Sequence, residues 1–261
     1  MEDETSCVPE NFWQQLQTAS QKVLFLDYDG TLAPFQLERN KAFPYPGVRE
    51  ILEKIQASGK TRLIIVSGRA LEDLLPLLGL KHLPELWGSH GFERQLPDGS
   101  RLAQDIDPNC LLNLERAFNW MKEHGYEADC EKKTSSIAFH WRGLEKGRRR
   151  QLEETVRNAW SPLTRGIDLQ IHSFDGGLEL RSVGFDKGEA VRQVLAECGQ
   201  NVSVAYLGDD LTDEDAFEAL KGKGLTVLVR ETYRDTLADC WLQPPDDLLH
   251  FLQNWLSFSS K

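Results

Sequence analysis

The chain has 261 residues, which is enough for one large domain or for a core that carries a smaller inserted domain. Hydrophobic residues make up 40% and charged residues 27%, which is typical of a soluble globular protein, and no apolar stretch reaches the length of a membrane span. The net charge of −11 repels phosphate backbones, so it argues against nucleic-acid binding and requires a local cation or metal for an anionic small substrate.

The first hundred residues alternate between helical and extended patterns. The predicted elements are a helix at 9–21, a strand at 23–27, a proline- and aromatic-rich loop at 33–46, a helix at 47–57, a strand at 62–66, a helix that opens at 67–69 and carries Leu71, Leu74 and Leu75, a strand end at 86–91 and a hairpin at 92–102. Alternation of this kind favours a parallel sheet with helices on its faces.

The middle of the chain changes character. Its pattern predicts helices at 108–124 and 145–160, a partly alternating strand-like segment at 130–142, and two further strands at 167–172 and 177–182. Helices combined with hairpin-like strands indicate an inserted α+β domain at 103–183. Residues 1–102 and 184–261 then form one core.

The alternating pattern resumes near residue 186. The last predicted elements are a helix opened by Asp186, a strand at 202–207, a helix at 212–220, a last strand at 225–229 and a closing helix at 246–257. The predicted fold class is therefore α/β, with a Rossmann-like parallel-sheet core and an inserted α+β cap domain.

The cysteines and the N-terminus predict a cytoplasmic protein. There are five cysteines, an odd number, and none lies in a Cys-x-x-Cys pair, so we expect free thiols in a reducing compartment. Three of the first four residues are acidic (Glu2, Asp3 and Glu4), where a signal peptide would be basic.

The stretch from Val23 to Leu32 is the most informative part of the sequence. Four apolar residues run directly into Asp27 and Asp29, and Gly30 and Thr31 follow. Two carboxylates at the tip of a buried strand repel each other unless a cation or a shared proton holds them together. A hairpin turn at Asp29-Gly30 is the structural alternative, but it leaves Asp27 unexplained.

Polar residues follow two other buried strands. Ser67, Gly68 and Arg69 end the second strand, and an acidic run containing Asp209, Asp210 and Asp213 ends the strand at 202–207. Ligands of open α/β sheets bind at the carboxyl ends of the strands, so these groups are expected to converge there with Asp27 and Asp29. Carboxylates gathered at one edge predict a site for Mg²⁺, which works with carboxylates and substrate phosphates.

In order along the chain, these motifs resemble those of the haloacid dehalogenase superfamily of phosphohydrolases. The matching segments are Asp27-Tyr28-Asp29-Gly30-Thr31, Ser67, Lys187 at a helix start, and Gly208-Asp209-Asp210-Leu211-Thr212-Asp213-Glu214. The resemblance implies that Asp27 is the nucleophile, Asp29 the acid and base, Ser67 a donor to the phosphoryl group and Lys187 a neutralising cation. The implied Mg²⁺ ligands are Asp27, the Asp29 carbonyl and Asp209, with Asp213 and Asp210 binding directly or through water.

Two of these residues have a simpler structural explanation. Ser67 could cap the helix that follows it, and this is compatible with phosphate binding. Lys187 could be a solvated residue of the first helical turn, although the helix dipole disfavours a cation there.

The insert resembles that of the trehalose-6-phosphate phosphatase branch. The similar segments are Glu131-x-Lys133-x-x-Ser136, His140-Trp141-Arg142 and Gly177-Leu178-Glu179-Leu180-Arg181, together with Ser67-Gly68-Arg69 and Gly88-Ser89-His90-Gly91 in the core. The resemblance implies a substrate-binding set of Gly68, Arg69, His90, Glu131, Lys133, Ser136, His140, Arg142, Glu179 and Arg181. Ser182 replaces a usual proline and Trp141 a common tyrosine.

These cap residues also have structural alternatives. Residues 131–133 could form a solvated edge, His140 a packed core histidine, and His90 an anchor that orients loops. Carboxylates such as Glu131 and Glu179 suit sugar hydroxyls, with Lys133 as a donor.

The sequence therefore predicts a Mg²⁺-dependent phosphohydrolase that acts on trehalose 6-phosphate, with a cap that closes over the core and selects the sugar. The alternatives are a phosphatase for another sugar or glycoside phosphate (sucrose-, glucosylglycerol- or mannosylglycerate-type) and a catalytically silent sugar-phosphate sensor. The oligomeric state is left open, and a monomer is compatible with the sequence.

Overall fold

The computed structural model describes residues 7–36, 38–103, 106–141, 144–174 and 176–260. The described residues form two compact units. One extends to Leu102 and resumes at Asp186, and the other runs from Ala103 to Phe185.

The first unit is built on an eight-stranded sheet in the order β12-β11-β10-β1-β2-β3-β4-β5. Its strands are β1 (Gln21–Asp27), β2 (Arg62–Val66), β3 (Glu85–Gly88), β4 (Glu93–Gln95), β5 (Arg101–Ala103), β10 (Val202–Gly208), β11 (Leu225–Val229) and β12 (Cys240–Leu242). The pairs from β12 to β3 are parallel and β4 is antiparallel to β3. This confirms the predicted α/β class with a parallel sheet.

Helices cover both faces of this sheet. They are α1 (Glu10–Thr18), α2 (Val48–Ala57), α3 (Leu71–Leu78), α6 (Lys187–Ala196), α7 (Glu214–Leu220) and α8 (Asp246–Ser259). Each buries one stripe of apolar residues, as Val48, Ile51, Leu52 and Ile55 do in α2, because these positions recur on one side of a helix. Two separate apolar clusters result, one on each face of the central strands.

The strand register places three strand ends at one edge. Leu26 of β1 is level with Leu207 of β10, and Asp27 is level with Val66 of β2. Asp27, Ser67 and Asp209 therefore leave neighbouring strands side by side.

The second unit is a four-stranded sheet in the order β6-β7-β9-β8, covered on one face by two helices. Its elements are α4 (Pro108–Glu123), β6 (Cys130–Lys132), β7 (Ser136–His140), α5 (Lys146–Trp160), β8 (Leu169–Phe174) and β9 (Gly177–Ser182). All three strand pairs are antiparallel, which is the predicted α+β character.

Three expectations about local structure are wrong. The segment 130–142 is two antiparallel strands, because the chain turns back between Lys132 and Ser136. The strand at 225–229 is not the last, since β12 adds a parallel edge strand beside it. The first helix ends at Thr18, so β1 begins two residues earlier than expected.

The expectation that all five cysteines are free is also wrong. Cys7 and Cys240 form a disulfide, with Cα atoms 5.5 Å apart, and Cys110, Cys130 and Cys198 are free. The bonded residues are 233 positions apart, so no local spacing in the sequence revealed the pair. Among the described residues, no helix has the length and hydropathy needed to cross a bilayer.

Candidate active site

A buried ion-pair network lies at the carboxyl ends of β1 and β10. Lys187 Nζ donates to Asp27 Oδ1 at 2.6 Å and to Asp213 Oδ1 at 2.7 Å. Lys187 begins α6 and is only 2% exposed, so it is not a solvated first-turn residue. Burial alone would lower the pKa of Lys187, but the carboxylates of Asp213 and Asp27 raise it, so the ammonium stays charged.

Asp213 accepts hydrogen bonds on both carboxylate oxygens. Oδ1 also accepts from the Tyr206 hydroxyl at 2.7 Å, and Oδ2 accepts from the backbone N–H groups of Asp209 at 3.1 Å and Asp210 at 3.0 Å. A Cβ on Gly208 would lie 2.3 Å from Asp213 Cγ, so only glycine lets this carboxylate fold beneath the strand end. Asp213 therefore holds the acidic turn and Lys187 in place.

Asp27 and Asp209 carry carboxylate oxygens that accept no hydrogen bond in this network. Among the described residues, Asp27 Oδ2 and both Asp209 carboxylate oxygens are buried without a hydrogen-bond partner. Ligand oxygens of Asp27, Asp209 and Asp213 lie within 4.8 Å of one another. Burial, reinforced by neighbouring carboxylates, raises the pKa of Asp27 to about 7 and that of Asp209 well above its ordinary value.

This acidic cluster fits a metal ion. Buried carboxylate oxygens without partners are costly unless a cation compensates them, and hard divalent cations bind such oxygens. Gly30 leaves the required space, because at its φ of +88° a Cβ would lie 2.2 Å from Asp209 Oδ2.

Asp29 lies in the turn after β1, and its carboxylate is held by Arg69. Nε of Arg69 donates to Asp29 Oδ2 and Nη2 to Oδ1, each at 2.6 Å, which is a two-pronged ion pair. Nη1 of Arg69 donates to the Arg39 carbonyl at 2.8 Å. Arg69, which the sequence predicts to bind substrate, therefore binds Asp29, which the sequence predicts to be the acid and base.

Ser67 is fully buried at the end of β2. Its Oγ accepts from the Arg69 backbone N–H at 3.1 Å within the turn before α3. The alternative that Ser67 caps the helix is wrong, because α3 begins at Leu71 and its N-cap position is Ala70. His90 has a left-handed backbone with φ 59°, donates its N–H to the Ser67 carbonyl at 3.0 Å, and lays its ring against Gly68. Residues 67–69 and His90 therefore form one packed unit beside β1.

Asp210 turns its carboxylate toward the backbone. Oδ1 accepts from the Leu211 N–H at 2.7 Å, and Asp210 and Asp213 form a reciprocal capping box over the turn Leu211–Asp213. In this arrangement Asp210 shapes the acidic turn.

Two arginines that sequence reasoning missed bind the same turn. Arg234 donates to the Asp209 carbonyl at 3.3 Å and to the Asp210 carbonyl at 2.8 Å, and it also pairs with Glu214. Arg230 donates to the Asp209 carbonyl at 3.3 Å. Both follow β11, so the strand-end argument that identified Ser67 also applied to this loop.

The predicted substrate residues of the second unit share one face of its sheet. Leu178 and Leu180 of β9 pack into the apolar cluster, so Glu179 and Arg181 point to the opposite face. Glu179 Oε1 accepts from Ser136 Oγ at 2.7 Å and from Lys133 Nζ at 3.2 Å. The structure therefore brings these polar groups together on one side of the sheet.

His140 and Glu131 lie on the same face. The His140 Nε2 to Glu131 Oε2 distance is 3.2 Å, and His140 is half-buried rather than packed in the core. Lys133 is almost fully buried, so the stretch 131–133 is not simply a solvated edge. Arg142 lies outside the described residues.

Comparison with known proteins assigns the family. A sequence model of the trehalose-phosphatase family matches residues 25–240. The chain belongs to the trehalose-phosphatase family. The family assignment confirms the sequence resemblance on which the predicted motifs were based.

Proteins with similar sequences carry the same family name. The chain is 31% identical to the trehalose-phosphate phosphatase of Mycobacterium leprae (strain TN), over 89% of this chain and 56% of that protein. It therefore spans about half the length of the mycobacterial relatives that it matches.

The fold is also shared with solved structures. The C-terminal domain of Candida albicans trehalose-6-phosphate phosphatase superimposes with a TM-score of 0.82 at 21% identity, over 95% of this chain and 96% of that one. A haloacid dehalogenase-like hydrolase from B. subtilis matches with a TM-score of 0.64 at 16% identity, over 89% of this chain and 99% of that one. The Rossmann-like core with an inserted cap is thus confirmed as the fold.

Proposed function

We propose that the chain hydrolyses trehalose 6-phosphate to trehalose and phosphate through an aspartyl-phosphate on Asp27. The observation that supports this most strongly is the convergence of Asp27, Lys187 and Asp209 in a chain of this family. Asp27 and Asp209 carry unpartnered buried oxygens, and Lys187 supplies a fixed positive charge. Phosphoryl transfer depends on this combination of positioning and charge stabilisation.

The first half-reaction uses Asp27 and Asp29. An oxygen of Asp27 attacks phosphorus as the bond to the sugar oxygen breaks, and Asp29 gives a proton to the departing alkoxide. In the second half-reaction Asp29 takes a proton from water, which attacks phosphorus and releases Asp27 and phosphate. Arg69 donates one hydrogen bond to each oxygen of Asp29, and the second lone pair of either oxygen is available to carry the proton.

Lys187 and Ser67 stabilise the phosphoryl group. Lys187 lies 2.6 Å from Asp27, where its charge opposes the negative charge of the transition state. Ser67 Oγ accepts a backbone hydrogen bond, so its hydroxyl hydrogen is directed to a phosphoryl oxygen.

Mg²⁺ is the proposed cofactor. The carboxylates of Asp27 and Asp209 and the Asp29 carbonyl would hold it, while Asp213 supports the site through Lys187 and the turn, and Asp210 shapes that turn. When bound, the ion supplies positive charge to the phosphoryl oxygens.

The two units have separate proposed roles. The first unit, residues 1–102 and 184–261, carries catalysis, and the second, residues 103–183, selects the sugar. Glu131, Glu179 and Lys133 present carboxylate acceptors and an ammonium donor on one sheet face, which suits vicinal hydroxyl groups. Arg142 and Arg181 remain predicted partners of the phosphate or of these carboxylates.

The test is Mg²⁺-dependent phosphate release from a substrate panel. The wild-type protein is expected to prefer trehalose 6-phosphate to glucose 6-phosphate and sucrose 6-phosphate. Asp27→Asn should abolish turnover, and Asp73→Asn, the same change at an exposed position on α3, should not. Binding of trehalose 6-phosphate without phosphate release would indicate the sensor instead, and equal turnover of the panel would contradict the assigned sugar.

A cytoplasmic location stays a prediction, and cell fractionation tests it. The disulfide between Cys7 and Cys240 is unusual for a reducing compartment. Non-reducing mass spectrometry of protein from intact cells would show whether this pair is oxidised in place.

A further inference from the structure

Arg69 is held on three sides within the first unit. Its guanidinium donates to both carboxylate oxygens of Asp29 at 2.6 Å and to the Arg39 carbonyl at 2.8 Å. Its Cζ lies 5.8 Å from the centre of the Tyr28 ring. A two-pronged ion pair, a carbonyl acceptor and a cation–π contact fix the plane of this guanidinium, and only 4% of the side chain is exposed. Arg69 is therefore a fixed part of the site and not a mobile surface cation.

Tyr28 supports the same arrangement from its place between Asp27 and Asp29 in the chain. Its side chain is fully buried in the apolar cluster on one face of the sheet, and its hydroxyl donates to the Ala42 carbonyl at 2.7 Å. The carbonyls of Arg39 and Ala42 belong to one short segment of the chain. This segment therefore anchors the guanidinium and the phenol together, and the aromatic ring stays beside the cation.

These contacts determine the position of the Asp29 carboxylate. It is 29% exposed, so water reaches it, but both of its oxygens are tied to one planar guanidinium. Among the described residues, the carboxylates that could share a metal ion are those of Asp27, Asp209 and Asp213, and Asp29 is outside this group. Arg69 thus keeps the Asp29 side chain for proton transfer, while the Asp29 carbonyl is left for the cation. Proton transfer requires this orientation, because a small misplacement of a catalytic group costs a large factor in rate.

The shape of the guanidinium matters for this contact. Its planar fork matches both oxygens of a carboxylate, whereas the ammonium of a lysine is a point charge on a flexible stem. We infer that Arg69 is a positioning residue: it fixes the orientation of the acid and base Asp29, with Tyr28 as its support, and does not itself contact the substrate. This role rests on the proposed function, because it acts only through proton transfer by Asp29. It replaces the role in substrate binding that the family resemblance implies for Arg69.

Arg69→Lys is the direct test, and Arg49→Lys is its matched control. The Cζ of Arg49 also lies near an aromatic ring, 5.7 Å from the centre of the Phe43 ring. In the described part of the chain, Arg49 donates to the Leu77 carbonyl at 2.8 Å and not to a carboxylate. In the full chain with Mg²⁺, Arg69→Lys should lower kcat for trehalose 6-phosphate about 50-fold and change KM by less than about threefold. Arg49→Lys should keep both constants near those of wild type.

A double-mutant cycle with Asp29→Ala separates positioning from other roles. Alanine keeps the backbone carbonyl of residue 29 for the cation but removes the carboxylate that Arg69 holds. Adding Arg69→Lys should then lower the remaining kcat by less than about threefold, because a residue that acts through another has little further effect once its partner is missing. An equal loss in both backgrounds, or a raised KM with an unchanged kcat, would overturn the positioning role.

Tyr28→Phe is a milder variant that keeps the aromatic ring and removes the hydroxyl. Loss of the hydrogen bond to the Ala42 carbonyl loosens the support of the guanidinium. The kcat for trehalose 6-phosphate should fall about fivefold when the Asp29 carboxylate is present and should not fall further in Asp29→Ala. Because this variant adds no atom to the core, it tests the role even if Arg69→Lys does not fold. A fall of the same size in Asp29→Ala would mean that Tyr28 acts on the fold alone, which would contradict its role as a support.

The proposed function fails by a different result. If wild type releases no phosphate from trehalose 6-phosphate, or does not prefer it to glucose 6-phosphate, the assigned reaction or sugar is wrong. If wild type has the expected activity and the losses from Asp29→Ala and Arg69→Lys simply multiply, only the positioning role of Arg69 is wrong.

Discussion

Asp213→Asn distinguishes two roles for this buried carboxylate, metal ligand and organiser of the acidic turn and Lys187. The sequence predicts Asp213 as a metal ligand, whereas in the structure both of its oxygens already accept hydrogen bonds from Lys187, Tyr206 and two backbone N–H groups. Asparagine keeps the size but turns one acceptor into a donor. Either Lys187 and Tyr206 or the two N–H groups then face an amide N–H.

The expected cost is large because the site is fully buried. Hydrogen bonds to charged groups contribute about 1.5–3 kcal/mol each, and breaking a buried pair costs about 3–5 kcal/mol. Relief of repulsion from Asp27 and Asp209 offsets part of this cost. We expect the free energy of unfolding to fall by about 3 kcal/mol, which at a urea m value of about 2 kcal/mol/M lowers the midpoint by about 1.5 M.

The assay is urea unfolding of metal-free protein in EDTA, followed by tryptophan fluorescence. Glu218→Gln, which removes one exposed charge from the helix that follows Asp213, is the control and should change the unfolding free energy by less than about 0.5 kcal/mol. If Asp213→Asn unfolds like this control without metal and differs only in its metal requirement, the organising role of Asp213 is refuted.

Three further predictions follow from other contacts. Arg234→Gln removes donors to the Asp209 and Asp210 carbonyls, so Mn²⁺ should bind about tenfold more weakly by EPR titration, and an unchanged affinity would contradict this role. Hydrogen bonds from Arg94 and Arg62 lower the pKa of Glu197 from 4.5 to about 2. The ionised Glu197 therefore stabilises the folded state fully above pH 4.5, and this stabilisation is lost as the pH falls toward 2. Because Glu197 is 42% exposed, Glu197→Gln should lower the free energy of unfolding by less than about 1 kcal/mol at pH 7, and by less again near pH 3, as measured by thermal unfolding. A loss that does not depend on pH would show that the charge of Glu197 is not what stabilises the fold. Gly30→Ala should lower kcat about 100-fold in a folded protein, as the added Cβ displaces the Asp209 carboxylate; kcat near wild type would show that the site tolerates it.

Much of the candidate site could be predicted from the sequence because its residues follow continuous apolar runs. Asp27, Ser67 and Asp209 each end a strand that is buried on both faces, and parallel strands bring their carboxyl ends to one edge. Lys187 was identified through the family resemblance, as the residue that begins α6. Chain order and hydrophobic pattern were therefore enough for the fold class and for the sheet edge where these residues meet.

The partners of these residues depended on the tertiary structure. Arg69 and Asp29 are 40 positions apart, Lys187 and Asp27 are 160 apart, and Cys7 and Cys240 are 233 apart. Helix and strand periodicity describes only residues a few positions apart, so it does not predict contacts over such distances along the chain. By itself the sequence determined which charged groups meet at the sheet edge; only the packed structure decided which carboxylates are consumed by hydrogen bonds and which keep oxygens for a cation, because that depends on side-chain distances of a few ångströms.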